Sequence, residues 1–209
     1  IAPETFRNCE QLKTFYIGKA FRGKINYGEE GDPDTLFLYY APIRLIQIDK
    51  ENTSYQLQNE ILYTRDGHIL CQALKNDNAD SQLTIPSCVT EIADGAFYRN
   101  SEFGAIEVKG SLERIGISAF ACADVGSFYV KGGVNYLDRG SFYQSAISEW
   151  RCHGGVKKYE KSAFQDVDAT NGYAIDMNAI TKLYQELLYV NATTDLSYWV
   201  KTIWNWIIM

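Results

Sequence analysis

The sequence contains two histidines, His68 and His153, and neither belongs to a metal-binding or nucleophile motif. A GxSxG elbow, a Walker loop, an HExxH helix and a GxGxxG turn are also missing, which removes the common signatures of hydrolase, nucleotide and zinc chemistry. Both histidines read as solvated side chains. Five cysteines (Cys9, Cys71, Cys88, Cys122, Cys152) form no CxxC pair and no regular framework, so a zinc site and a disulfide scaffold are both disfavoured. Each is expected to pack as a small, inert hydrophobe. Basic charge is scarce, with 20 Lys and Arg against 26 Asp and Glu, a net charge of -6 and a pI of about 5.0. That balance lacks the positive footprint of a nucleic-acid or anionic-membrane binder. No apolar run reaches the ~18 residues needed to span a bilayer. The closest, Tyr198 to Met209, is interrupted by Lys201 and reads as a docked terminus.

Aromatic residues are plentiful, with 15 Tyr, 10 Phe and 4 Trp. Most are expected in the core. Their placement is periodic. An Ala-Phe or Ser-Phe pair recurs at Ala96-Phe97, Ala119-Phe120, Ser141-Phe142 and Ala163-Phe164, a spacing of 22 to 23 residues. Ile92, Ile115, Leu137 and Tyr159 keep step with it, as do Val89, Leu112, Val134 and Val156. In Ile106-Glu107-Val108, Phe128-Tyr129-Val130 and Trp150-Arg151-Cys152 the alternation has period two, which predicts short strands with the outer pair inward and the middle side chain outward. Gly110, Gly132 and Gly154 share one column, where a tight turn of positive φ is expected. A unit of this size cannot bury its own apolar flank, so successive units must stack, with strands ~4.8 Å apart in a parallel ladder. Phe97, Phe120, Phe142 and Phe164 should then pile up in one interior row.

The expected fold is an α/β-type solenoid forming a right-handed superhelix of short parallel strands. The 209 residues read as one domain: irregular N-terminal repeats over 1–51, a hairpin-containing repeat over 52–82, regular repeats over 83–175 and a cap over 176–209. Strands are expected at Phe15–Ile17, Ile46–Ile48 and Tyr173–Ile175, with an insertion loop over 22–35. Asp66-Gly67 suits the turn of a β-hairpin that projects from one edge. The cap begins with "NAITKLYQELLYV", whose apolar spacing is helical.

"LTIPSCVTEIADGAFYRN", "LERIGISAF" and "TFRNCEQLKTFYIG" resemble the BspA-type leucine-rich repeats of bacterial surface proteins. "IQIDKENTSYQLQNEILYTRDGHIL" is similar to the variant of that family in which an Asn-x-x-Tyr stretch precedes a small hairpin. The likeness runs over nearly the whole chain, although only Ile85-Pro86 keeps the Ile-Pro pair and some Ala-Phe pairs become Ser-Phe or Thr-Phe. It implies an exported or surface-anchored, non-enzymatic protein that binds a protein or extracellular-matrix ligand, with no catalytic residues and no cofactor to carry over.

The candidate ligand-binding surface is the stripe of outward middle residues Tyr16, Gln47, Thr84, Glu107, Tyr129, Arg151 and Ala174. Seven rungs would make it about 30 Å long. Tyr and Arg together are typical of interface hot spots. Lys109, Lys131 and His153 form a weakly basic column beside it. Two other readings stand alongside the binding module: a structural spacer or stalk, and a glycan-active enzyme, for which no carboxylate pair can be nominated. The acidic loop with Glu29, Glu30, Asp32 and Asp34 lacks the ligand spacing of a calcium loop, and Asn76 to Asp80 reads as a turn. Asn52-Thr53-Ser54 and Asn191-Ala192-Thr193 match the glycosylation acceptor pattern.

Overall fold

The computed structural model describes residues 6, 9, 11–25, 43–74, 81–100 and 103–165 of a chain that divides into two compact units, Ile1–Ala174 and Ile175–Met209. All described residues lie in the first unit. The helical cap expected over 176–209, the strand at 173–175 and most of the 22–35 loop fall outside them. Among the described residues there are thirteen strands and no helix.

Each regular coil contributes to two parallel ladders. The first holds β6 (Ser81–Ile85), β8 (Phe103–Val108), β10 (Asp124–Val130) and β12 (Ala146–Cys152). The second contains β7 (Glu91–Ile92), β9 (Leu112–Ile115), β11 (Val134–Leu137) and β13 (Val156–Tyr159). The period-two triplets predict only the first of these in each coil. The second escapes the period-two test because Leu112 and Ile115, three apart, are both buried, as are Val134 and Leu137. A four-residue strand between two corners buries both its ends, so its apolar residues do not alternate.

The Ala-Phe segments close the coil as a third wall. Phe97 N donates to Ala119 O, Phe120 N to Ser141 O and Phe142 N to Ala163 O, each at 2.7 Å. The rings follow the backbone. Phe97, Phe120, Phe142 and Phe164 stack with centroids 4.5, 5.0 and 5.1 Å apart and planes within 9° of parallel. A second row packs edge-on against them, with Phe120–Phe128 at 5.0 Å and Phe142–Trp150 at 5.0 Å. Each buried Phe adds roughly 1.5–3 kcal/mol of transfer free energy, and each ring pair about 0.5–1.5 kcal/mol more.

The glycine column behaves otherwise than expected. Gly110, Gly132 and Gly154 have no positive φ; a Cβ on Gly132 would lie 2.8 Å from Gly110 O, and one on Gly154 2.6 Å from Gly133 N. Close approach of adjacent coils, with Gly154 N donating to Gly132 O at 2.8 Å, is what demands glycine there. The left-handed corners stand elsewhere, at Gly95, Ser118 and Gly140 (φ 61, 51 and 59°) and at Arg99, Cys122 and Gln144 (φ 50, 55 and 49°).

Upstream, β1 (Thr14–Ile17) and β2 (Leu45–Ile48) pair in parallel as a separate two-stranded sheet. The hairpin does not project; β3 (Tyr55–Gln58), β4 (Ile61–Thr64) and β5 (Ile69–Ala73) form an antiparallel meander that continues the second ladder through β5–β7. Apolar residues on both of its faces forbid projection: Ile61, Leu62 and Tyr63 are all buried. Its first turn, at Asn59-Glu60 with φ 48 and 62°, is the primed type that matches strand twist. Ile17, Ile25, Ile46, Tyr55, Leu62 and Cys71 share one core. Asn52 is buried there, its amide donating to Gly18 O and Phe21 O and accepting from the Ser54 and Tyr55 amides. Such an occupied amide is a structural pin. Asn191 lies outside the described residues.

Candidate functional site

On the first ladder, pairing aligns Thr84 with Glu107, Glu107 with Tyr129 and Tyr129 with Arg151. Their neighbours Ile85, Ile106, Val108, Phe128, Val130, Trp150 and Cys152 are buried, so the pleat turns this column outward. A second column, Gln82, Ala105, Ser127 and Glu149, runs beside it. Four rungs span about 14 Å.

The polar chemistry of this face is partly self-satisfied. Lys109 Nζ lies 2.6 Å from Glu107 Oε2, and Arg151 pairs with Glu149 on its own strand. The Tyr129 hydroxyl stands 3.2 Å from His153 Nε2, donating to it when that nitrogen carries no proton, and the two rings meet edge to face at 5.1 Å. Lys109, Lys131 and His153 are exposed along the turn edge. These exposed ion pairs hold the side chains in place at little net energy. Tyr129 and Arg151 thus stand on adjacent rungs, with the arginine's charge met by Glu149.

Tyr16 and Gln47 are in register with each other but belong to the separate β1–β2 sheet. The expected continuous seven-rung stripe is therefore two pieces, because the meander joins the second ladder in the interval between β2 and β6. Ala174 lies outside the described residues. Tyr16 is 59% exposed and donates to Asp49 Oδ2 at 3.0 Å. That bond to Asp49 raises the Tyr16 pKa; Asp49 is held low by the Glu51 amide first and by Tyr16 second.

His68 is exposed, with Nδ1 3.0 Å from Cys88 O. None of the five cysteines is in a disulfide; Cys71 and Cys152 are buried, but Cys88 is exposed, contrary to expectation. Burial pushes the Cys71 thiol up to about 12, ahead of a smaller effect from Glu91, which makes it a poor nucleophile. The acidic 29–34 loop and the 76–80 turn lie outside the described residues. Among the described residues no group of His, Cys, Asp and Glu could hold a metal ion, and no helix is long and apolar enough to cross a membrane.

One polar cluster matches no sequence motif. Arg114, on the outer side of β9, donates to Glu91 Oε1 at 2.9 Å, to Asp94 Oδ1 at 2.5 Å and to Asp138 Oδ2 at 2.8 Å. Burial opposes its charge, yet Asp94 and the hydrogen bond to Asp138 outweigh that and raise its pKa. Three coils are pinned together by this one guanidinium. Tyr136 repeats the reach one coil on, donating to Glu160 Oε1 at 2.7 Å. The available signal was an arginine at an outward position with carboxylates 20 and 24 residues away.

Two stacked parallel ladders, a phenylalanine wall and a 22- to 23-residue period define a repeat protein of the β-solenoid kind. More specifically, the chain belongs to the BspA type leucine rich repeat region family, which matches residues 67–171 in six copies. Among solved structures, that of the pneumococcal vaccine antigen PcpA is similar in fold, with a TM-score of 0.53 and 15% identity. The likeness covers 84% of this chain and 53% of that one, so the chain spans about half its length. No curated protein matches the sequence.

Proposed function

We propose that the chain is a non-enzymatic binding or adhesion module of a secreted or surface-attached bacterial protein. The partner is a host protein or matrix component, met on the outer face of the first ladder. The observation that carries this reading is the alignment of Thr84, Glu107, Tyr129 and Arg151 on four successive rungs. Tyr129 contributes a rigid aromatic surface and Arg151 a planar fork of donors, the two side-chain types richest in interface hot spots. Because Glu107 is already paired with Lys109 and Arg151 with Glu149, the face offers little net charge and suits a mixed protein surface better than a polyanion. Family membership supports the reading, since extended repeat faces commonly carry recognition.

The test is an array of host matrix proteins and glycans probed with the parent chain and with Tyr129→Ala/Arg151→Ala. A protein ligand retained by the parent and released at least about tenfold more readily by the double variant is expected, since two hot-spot truncations each cost about 1–2 kcal/mol or more. Equal retention by both removes this face as the site.

A further inference from the structure

We infer that the outer face of β11 and β13 on the second ladder, with the corner that follows them, binds a short acidic peptide segment. This site lies on a different wall from the face assigned to the matrix partner and takes a ligand of its own. Residues 125–165 hold six Lys and Arg against three Asp and Glu, within a chain whose net charge is -6. Four of those cations belong to this face and its corner. Lys157 and Lys158 are both exposed in the middle of β13, because its ends Val156 and Tyr159 align with the buried Val134 and Leu137. Arg139 and Lys161, also exposed and one repeat apart, follow β11 and β13 at the corner.

The nearby carboxylates are engaged by other donors. One oxygen of Asp138 accepts from Arg114 Nε at 3.1 Å and Nη2 at 2.8 Å, and the other accepts from the Arg139 amide at 2.8 Å. Glu160 accepts from the Tyr136 hydroxyl at 2.7 Å, and Glu149 pairs with Arg151 on the first ladder. Among the described residues no ion pair reaches Arg139, Lys157, Lys158 or Lys161. Lys158 Nζ rests 5.0 Å over the Tyr136 ring, a contact that fixes the cation at the surface without cancelling its charge.

Size and sign select the ligand. The patch is two rungs deep, about 5 Å, and the run from Lys157 to Lys161 spans at most about 13 Å, the reach of about four extended residues. Glu113, exposed on the rung before β11 and bonded to the Asn135 amide, ends the patch on that side. A long polyanion following the ladder would run into that carboxylate, whereas a short acidic segment stops before it. Lysine ammonium groups are point donors that meet a carboxylate from several directions, which suits the mobile side chains of an extended peptide. At ~0.15 M salt the screening length is ~8 Å, so these cations act together while charges on distant coils are damped.

Fluorescence anisotropy of a labelled tetraglutamate peptide with Gly-Ser flanks, titrated with the full chain in about 0.15 M and about 1 M salt, tests this. Saturable binding that weakens at least about tenfold in high salt is expected. Lys157→Gln/Lys158→Gln/Lys161→Gln should lose at least about tenfold in affinity. Arginine at the same three positions should preserve binding, a result that misfolding could not give. Lys13→Gln/Lys50→Gln, at exposed positions of the N-terminal coils, should bind as the parent does, and so should Tyr129→Ala/Arg151→Ala, which separates this site from the first-ladder reading. Absence of peptide binding, equal losses in the two lysine-to-glutamine variants, or tighter binding of a sulfated oligosaccharide or a single-stranded nucleic acid would overturn the inference.

Discussion

Two positions in the repeat show how a single atom decides fit. Ser141 replaces the alanine of its column, and its hydroxyl is fully buried with no hydrogen-bond partner. A buried hydroxyl left unpaired costs about 1–3 kcal/mol. Ser141→Ala is therefore expected to stabilise the chain by about 1 kcal/mol, seen as a melting temperature higher by roughly 2–4 °C; an unchanged or lower value would mean the hydroxyl is satisfied. Gly132 is the opposite case. Its added methyl would meet Ser111 Cα at 2.8 Å, backbone that cannot swing aside. Gly132→Ala should cost about 1–3 kcal/mol by overpacking, whereas Gly155→Ala, where a Cβ meets nothing within 4 Å but φ is 70°, should cost only the backbone strain of about 1 kcal/mol. Denaturant midpoints of the two variants check the order. The glycine column was legible in the sequence, but its reason was not, because identical spacing reports an identical environment without saying whether torsion or proximity imposes it.

At the scale of the element, the phenylalanine pile is the part read most directly from the sequence. Phe120 touches a ring on either side, at 4.5 and 5.0 Å, and is fully buried. Phe120→Ala should cost about 3–5 kcal/mol, measured by urea unfolding followed through Trp150, whose ring stacks on Phe128 at 4.9 Å. A loss under about 1 kcal/mol would mean that the row is not a cooperative core. The β4–β5 hairpin carries a pH dependence. Asp66 accepts from the Thr64 hydroxyl at 2.6 Å and from the His68 amide at 3.0 Å, and these bonds hold its carboxyl below the usual range. A lowered pKa in the fold means that the stabilisation is fully present above the unfolded value, about 3.9, and fades as pH falls through the folded one. Asp66→Asn should flatten the acid limb of a stability-against-pH curve below about pH 4, and an identical limb in both proteins would refute the role.

Why the second ladder and the β3–β4 turn escaped sequence reading is also an element-scale matter. Leu112-Glu113-Arg114-Ile115 has the i, i+3 spacing of a bent segment, and burial of both ends is fixed by the corners on either side. Asn59-Glu60 lacks glycine, yet both residues take positive φ, with Asn59 the only local hint. The Arg114 pin joins residues 20 to 24 apart in sequence, and only the stacking of coils brings them together. By contrast, the outward column Thr84, Glu107, Tyr129, Arg151 was legible because period-two alternation and a fixed repeat determine both face and register.

For the described first unit, the consequence is a division of labour among walls. Phenylalanines fill one wall, polar pins run across the second ladder, and the first ladder is left with an open aligned face. The breadth of the expected stripe was overstated because register within β1–β2 and within the first ladder does not connect the two sheets. Recognition by the first ladder remains the claim on which the functional reading rests.

Its most direct measurement is equilibrium binding of the array-identified protein ligand to three folded chains: the parent, Tyr129→Ala/Arg151→Ala on the first ladder, and Lys157→Glu/Lys158→Glu on the second. Affinity is expected to fall at least about tenfold in the first variant and to remain within about twofold of the parent in the second. Undiminished affinity in the Tyr129/Arg151 variant would contradict the assignment.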